Sequence, residues 1–385
     1  MAGYDAFLLV SFGGPEGPDD VIPFLQNVTA GRGVPPERLA QVADHYYRFG
    51  GVSPINQQCR DLLAAVEKEF AATGISLPVY WGNRNWQPYL ADAMRQMAAD
   101  GVTRALAFVT SAYSSYSSCR QYLDDIEAAR AAVGPGAPQV GKLRQFFNHP
   151  GFIEANAAAV AEAASSLGPS FAGTWDLVFT AHSIPVGMSR ASGPPDGPWP
   201  AGAGGPPGGA YTTQLADAAG LVASMAGYDR RWRQAYNSRS GPPSVPWLEP
   251  DINDCLEEMA RSGSQAVVVS PIGFVSDHME VKFDLDVEAA QTARRLGLRF
   301  ARAATAGTDR RFVSMIADLV RERTEGADPA ALGRLGVGAG SCPAGCCGQG
   351  ARRPPADAPA GGFGGSSPRD APAGGFGGSS PRDAQ

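Results

Sequence analysis

Two histidines in this chain stand where an apolar run gives way to polar residues. Leu177-Val-Phe-Thr180 leads into Ala181-His182-Ser-Ile-Pro185. Ala266 to Val269 leads through Pro271-Ile-Gly-Phe-Val-Ser-Asp277-His278-Met-Glu280 into a run of carboxylates, Glu280, Asp284, Asp286 and Glu288. A buried strand that delivers ionisable groups at its carboxyl end is a usual layout for an active site in α/β folds. A lone loop histidine is ordinarily just a hydrogen-bonded residue. Here only four histidines exist, at 45, 149, 182 and 278, and two of them share this placement. Imidazole beside carboxylates suits either binding of a borderline metal or proton transfer near neutral pH.

The carboxylate run supports two local readings. From Glu280 to Glu288 charged and apolar residues alternate strictly, which is the period of a half-buried strand. Wound as a helix, the same residues put Glu280, Asp284 and Glu288 on one stripe at i, i+4 and i+8. Each like-charged pair on such a stripe costs roughly 0.2–0.5 kcal/mol, so the stripe makes sense where cations bind along it. A widened π-type turn, frequent at functional sites, lines up the three carboxylates better. The competing explanation is a solvated acidic face.

Three further segments carry candidate chemistry. The loop at 12–18, Phe-Gly-Gly-Pro-Glu-Gly-Pro, follows the first apolar run. It lacks the glycine and lysine spacing of a phosphate cradle, and its prolines remove N–H donors, so a nucleotide site is rejected. Its glycines instead permit close approach to a flat or bulky ligand. Tyrosines and hydroxyls crowd 111–122, where Ser117 or Ser118 is placed to cap a following helix and Tyr side chains offer apolar faces with polar tips. Ordinary surface residues would look the same. Cys342, Cys346 and Cys347 fall within six residues, a spacing that suggests a soft-metal site but not a zinc ribbon. A [2Fe–2S] cluster held by four cysteines would take its fourth ligand from Cys59, Cys119 or Cys255.

Positioning these groups falls to alternating elements. Strand-like runs at 6–12, 78–81, 105–110, 177–180, 233–236 and 266–270 are separated by helical patterns at 36–48, 57–71, 88–99, 120–132, 150–166, 214–226, 249–262 and 310–323. That alternation predicts parallel sheets wrapped by helices, with strands covered on both faces. The chain divides into halves at 1–168 and 169–330, with the cleft between them as the default ligand site. A helix over 308–325 is expected to pack back on the first half. Residues 331–350 form a cysteine-containing segment. The Gly/Pro stretch at 192–209 reads as a flexible insertion. Residues 351–385 read as a disordered tail, in which 357–369 recurs unchanged as 370–382.

With 385 residues and 44% hydrophobic content, the chain can bury one large or two ordinary cores. Its 32 basic and 38 acidic residues are interspersed, giving a net charge of −6 and no basic patch for nucleic acid. The first residues lack the basic region of a signal peptide, and no apolar stretch is long enough to span a membrane. A cytoplasmic protein is expected, with cysteines as thiols or ligands rather than disulfides.

The ordered motifs resemble a known family. Leu8-Leu-Val-Ser-Phe12-Gly-Gly-Pro15, Tyr47-Arg48-Phe-Gly-Gly-Val-Ser53-Pro54, Ala181-His182-Ser-Ile-Pro185, Ser240-Gly-Pro-Pro-Ser-Val-Pro-Trp247-Leu-Glu-Pro250 and the 271–280 segment together resemble the ferrochelatases, over about residues 5–325. The resemblance implies two pseudo-symmetric Rossmann-like domains with parallel four-stranded sheets, a porphyrin cleft between them, and a helix with a π-type stretch over 280–288. It implies that His182 and Glu280 are catalytic and face each other across the porphyrin centre. His182, Glu280, Asp284 and Glu288 would handle the metal. Ser53 and Tyr122 would hold porphyrin carboxylates. Phe12 stands where some relatives place a metal-reaching tyrosine, and a phenyl ring cannot ligate iron. Arg32 lies near a family arginine that meets propionates. Composition and Asn83-Arg84-Asn85-Trp86 fit the type found in high-GC Gram-positive bacteria. That type implies insertion of ferrous iron into coproporphyrin III in haem synthesis, with a [2Fe–2S] cluster on Cys119, Cys342, Cys346 and Cys347. Protoporphyrin IX is the alternative substrate, and a non-catalytic porphyrin-binding or Fe–S sensor protein the alternative class. A monomer is expected, with room for transient contact with neighbouring haem-pathway enzymes.

Overall fold

The computed structural model describes residues 3–31, 33–195, 197, 208–241 and 244–348. The expected repeat tail, most of the Gly/Pro insertion and Arg32 lie outside the described residues. Among those described, eight strands form two sheets in which every pairing is parallel. The first sheet holds β1 (Ala6–Ser11), β2 (Val79–Asn83), β3 (Arg104–Val109) and β4 (Gln139–Lys142) in the order β2-β1-β3-β4. The second holds β5 (Asp176–His182), β6 (Arg233–Asn237), β7 (Ala266–Ser270) and β8 (Arg299–Arg302) in the order β6-β5-β7-β8. The two orders are the same, so each half starts on an inner strand and builds outward to both sides. Parallel neighbours need helical crossovers, which explains the covered faces. β1 and β7 are buried along their whole length.

The edge strands β4 and β8 escape the sequence reading. Gln139-Val-Gly-Lys142 and Arg299-Phe-Ala-Arg302 are short and polar, and an edge strand carries charge because only one side of it is paired. A helix at Pro18–Val28 is also missing from that reading, since Pro23 sits inside it. It pairs with the helix Pro36–Tyr47, and Val21, Phe24, Leu25 and Ala43 form a small core between them, with Phe12, Tyr46 and Trp86 against it.

One core runs through both halves. Phe7 and Leu9 of β1 belong to the same buried cluster as Leu177 and Phe179 of β5 and Val268 of β7. The helix Pro150–Ser166 joins them, packing on β7 and β8 and on the helices Ala210–Met225 and Arg310–Thr324. Arg310–Thr324 in turn packs on Ile55–Thr73 of the first half. Arg144 fastens this layer. Its Nε and Nη2 donate to Glu322 at 2.6 and 2.8 Å, with side chains only 5% and 9% exposed. No helix among the described residues is long and apolar enough to cross a membrane.

Candidate active site at the carboxyl ends of the second sheet

The strand order places the site. β5, β6 and β7 are adjacent and parallel, so the residues following each of them emerge at one edge. In open α/β sheets that edge, beside the first strand, is where ligands bind. His182 is the last residue of β5 and stands in register with Asn237, the last residue of β6. The segment after β7 turns through Pro271-Ile-Gly273. The Gly273 N–H donates to the Thr180 carbonyl at 3.0 Å, and a Cβ there would run into Ala181. Only glycine lets the two loops approach so closely. The chain then enters a helix at Met279–Lys282, widens into a π-helix at Asp284–Ala289 and returns to α at Ala290–Arg295. The Phe283 carbonyl accepts from Glu288 N–H at 3.0 Å, the five-residue span of a π turn.

This settles the ambiguity in the acidic run. Asp286 points away from its neighbours, onto Lys282 and Arg302. Glu280, Asp284 and Glu288 remain as a line.

His182 Nε2 lies 3.2 Å from Glu280 Oε1, while its Nδ1 meets the Ser183 carbonyl. The carbonyl can only accept, so the proton on Nδ1 is fixed and Nε2 faces the carboxylate. The other Glu280 oxygen is 3.5 Å from His278 Nε2. His278 is one of the two strand-end histidines singled out in the sequence, which gave it no specific role. Its signal was its place two residues before Glu280. Tyr211, wholly missed, donates to the His182 carbonyl at 2.8 Å and fixes the backbone of that residue. Asn237 donates to the Glu280 carbonyl at 3.0 Å and to Asp284 Oδ2 at 3.1 Å, and Ser238 also donates to Asp284. Ser238 holds φ at +63°, a left-handed conformation uncommon outside glycine and often retained at functional sites.

Burial would lower the His182 pKa, but the charge of Glu280 and its hydrogen bond outweigh that and lift it to about 9. Burial alone would raise Glu280, yet His182 and His278 bring it down to about 2. The two therefore rest as an imidazolium–carboxylate pair at neutral pH. Further along, burial pushes Asp284 up to about 7 against the hydrogen bonds from Ser238 and Asn237, helped by the charges of Glu280 and Glu288. Burial and Asp251 likewise push Glu288 up to about 7, opposed by Arg48. One firm anion is thus followed by two carboxyls poised to hold or give a proton.

His182 and Glu280 are in contact rather than set apart across a ligand. A flat macrocycle with van der Waals contacts on both faces needs about 7 Å between them, so its entry must part the pair.

The first half contributes differently. Ser53 and Tyr122 are 3% and 5% exposed. Tyr122 packs into the core cluster on β1 and β3, with the Arg84 guanidinium 4.5 Å over its ring. Arg84 also lies 5.7 Å from the Phe12 ring and pairs with Asp125. The helix Pro36–Tyr47 reaches across to the acidic line, where His45 stacks on Phe283 with ring centroids 3.7 Å apart.

The cysteine expectation needs correction. Cys119, Cys346 and Cys347 do gather, with Cys342 packed against them, and Cys119 and Cys342 sulfurs are 3.7 Å apart. Their contacts are those of thiols, weak donors that pack like small apolar groups. Among the described residues, no group of three or more His, Cys, Asp or Glu side chains is arranged to hold a metal ion. Nearness of sulfurs is not a ligand set, and the expected [2Fe–2S] cofactor is withdrawn.

Two sheets of matching order, with an imidazole–carboxylate pair and a line of carboxyls at one edge, define an α/β protein of the class that gathers titratable groups at the carboxyl ends of its strands. A family model described as Ferrochelatase matches residues 4–324. The chain is 54% identical over 354 residues to the ferrochelatase of Rhodopirellula baltica, across 91% of this chain and 95% of that one. It is 51% identical over 365 residues to the coproporphyrin III ferrochelatase of Streptomyces coelicolor, across 92% and 96% of the two chains. With the coproporphyrin III ferrochelatase of Nocardia farcinica it shares 54% over 361 residues, across 91% and 98%. The chain belongs to the ferrochelatase family and is an enzyme of its lyase-type, metal-inserting kind.

Proposed function

We propose that the protein inserts ferrous iron into coproporphyrin III, releasing two pyrrole protons and forming iron coproporphyrin III in haem synthesis. The observation that carries this reading is the His182–Glu280 pair, backed by two carboxyls that titrate near neutrality. The choice of coproporphyrin III is supported by close relatives named for that substrate in Streptomyces coelicolor and Nocardia farcinica.

The macrocycle enters between His182 and Glu280 and parts them. Each then loses the partner that shifted its pKa. Glu280, no longer beside an imidazolium, becomes the stronger base and takes a pyrrole proton. Asp284 and Glu288 exchange protons near pH 7, so they pass that proton outward to solvent, return Glu280 to its anion for the second pyrrole proton, and accept hydrated cations inward. His182, relieved of Glu280, releases its Nε2 proton to solvent and becomes neutral, and that nitrogen faces the opposite side of the ring to meet the iron. Imidazole and carboxylate hold ferrous iron without the tight grip of thiolates, which suits a cation that must be handed over. Ser53, Tyr122 and Phe12 are the first-half groups proposed to meet the porphyrin, Ser53 and Tyr122 from buried positions. Tyr122 must leave its packed position to reach a carboxylate. The enzyme works as a cytoplasmic monomer.

The test is anaerobic insertion of ferrous iron, followed by the Soret shift, with coproporphyrin III and protoporphyrin IX in parallel. Fast turnover of the first and little of the second is expected, and His182→Ala should abolish both. Preference for protoporphyrin IX would overturn the substrate. Tight binding without turnover would overturn the enzyme reading.

A further inference from the structure

The acidic line lies on one continuous helical run fed by the 271–278 loop, and one arginine that neither the motifs nor the chemistry above uses joins that loop to the helix. Arg302 is the last residue of β8 and stands in register with Val269, one residue before β7 ends. Its guanidinium therefore emerges beside the 271–278 loop. Nη1 and Nη2 donate to the two Asp277 oxygens at 3.3 and 3.0 Å. Nε and Nη2 donate to the two Asp286 oxygens at 2.5 and 3.2 Å, and Nη1 also donates to the Ala303 carbonyl at 3.2 Å. All five N–H donors of the fork are used. Thr305 Oγ1 adds a bond to Asp277 at 3.1 Å, and Lys282 Nζ meets Asp286 at 2.6 Å.

Each carboxylate is next to working groups. Asp277 precedes His278, which touches Glu280. Asp286 sits in the π turn between Asp284 and Glu288. Asp277 also takes the loop to the first half, since its N–H donates to Gln58 Oε1 at 2.8 Å. A cation held by two forks from two elements fixes their spacing in a way a single ion pair cannot.

We propose that Arg302 is a positioning residue for metal insertion: it clamps Asp277 to Asp286 and so sets Glu280 and His278 in register with Asp284 and Glu288. The inference rests on the reading of this line as the path for protons and iron. Arg302 touches neither substrate nor reacting atoms. It lines a cavity of about 540 Å³ with Gln58, Asp277, Thr305 and Arg311, so a small solute can reach its position.

That cavity supplies the test. Arg302→Ala leaves a hole of guanidinium shape, facing solvent-accessible space, between two intact carboxylates. Turnover of coproporphyrin III by the wild-type enzyme is measured first, and its absence would sink the functional reading rather than this one. Given wild-type turnover, Arg302→Ala should lower kcat on the order of 100-fold, the scale of an ångström-level misplacement. Porphyrin affinity, followed by fluorescence quenching, should change by less than about threefold, because the clamp acts on alignment and not on the cleft wall. Millimolar guanidinium, against sodium chloride at equal ionic strength, should restore roughly tenfold of the loss through the same forked bonds. Arg302→Lys keeps the charge but not the fork and should stay folded with kcat down about tenfold. A folded Arg302→Ala with kcat near wild type would overturn the proposal. So would a loss of kcat that guanidinium fails to relieve. If the alanine variant does not fold, wild-type kcat in Arg302→Lys would overturn it equally.

Discussion

Replacing Glu280 by glutamine tests the central electrostatic argument without removing a side chain of that size. In the free enzyme His182 owes its pKa of about 9 to Glu280, through charge and a hydrogen bond, in opposition to burial. Glutamine keeps the shape and loses the charge. Burial is then opposed by the Ser183 carbonyl and the Asp284 charge alone, and His182 should fall toward its ordinary value, which is about 6.5. A fall from about 9 to about 6.5 corresponds to roughly 3 kcal/mol at about 1.36 kcal/mol per unit. That figure is an upper bound, because the two side chains are 31% and 40% exposed and water screens part of the interaction. A drop of at least about one unit should survive that discount. Imidazole NMR on histidine-labelled protein gives the answer directly, since only four histidines contribute signals. His278→Gln and His182→Gln spectra assign the two in the site. Adding coproporphyrin III to the wild type should mimic the substitution, because the macrocycle parts the same pair. A His182 signal that still titrates above pH 8 in Glu280→Gln would refute the reasoning, and so would porphyrin binding that leaves the wild-type titration unmoved.

The same chemistry reaches stability. Glu288 has its pKa raised to about 7, so between its ordinary value of about 4.5 and 7 the folded state binds more proton than the unfolded state, and stability falls as pH rises through that window. Glu288→Gln should remove its share of this slope and leave that of Asp284, giving a melting temperature less dependent on pH between 4.5 and 7 than the wild type. An unchanged slope would place the titrating group elsewhere. Away from the site, Arg144→Ala strips a buried carboxylate of its partner and should destabilise by about 3–5 kcal/mol in chemical denaturation, with iron insertion retained in the folded fraction. A loss under about 1 kcal/mol would mean that the helix Arg310–Thr324 is held by its apolar face alone.

How much of the fold is legible in the chain depends on where the signal is written. β1, β3, β5 and β7 are apolar through their middles, and burial on two faces makes such strands visible. β4 and β8 are not visible, because an edge strand has no reason to be apolar and arginine or lysine there resists unwanted pairing. Glu280, Asp284 and Glu288 are legible as a stripe once a helix is assumed, but the strict alternation of charge fits a strand as well. Only packing against the helix Ile252–Arg261 and the widened turn at Asp284–Ala289 decide it. Asn237, Ser238, Tyr211 and Arg302 are illegible for another reason. Their roles are fixed by register and by neighbours distant in sequence, 46 positions away in the case of Ser238 and Asp284. The cysteines show the opposite error. Three thiols in a short segment are conspicuous in sequence, but composition says nothing about whether their sulfurs meet as ligands or as a packed apolar group.

The repeated strand order also explains why one half carries the chemistry. Both sheets offer carboxyl ends of adjacent parallel strands at one edge, so both could host a site on topology alone. The difference lies in the residues after each strand. In the second sheet β6 ends in Asn237-Ser238, β5 in His182, β7 in the loop to His278 and Glu280, and β8 in Arg302. On the proposed reading, four consecutive neighbours supply donor, base, acid line and clamp. In the first sheet β1 ends in Phe12 and a glycine loop, β2 in Arg84 and Trp86, and β3 in the hydroxyl and tyrosine segment. Those are groups for a wall that is apolar in the middle and polar at the rim. A macrocycle with an apolar ring and charged edges needs such a wall on one face and the proton and iron chemistry on the other. The fold meets both needs by using one topology twice and varying only the residues at the strand ends.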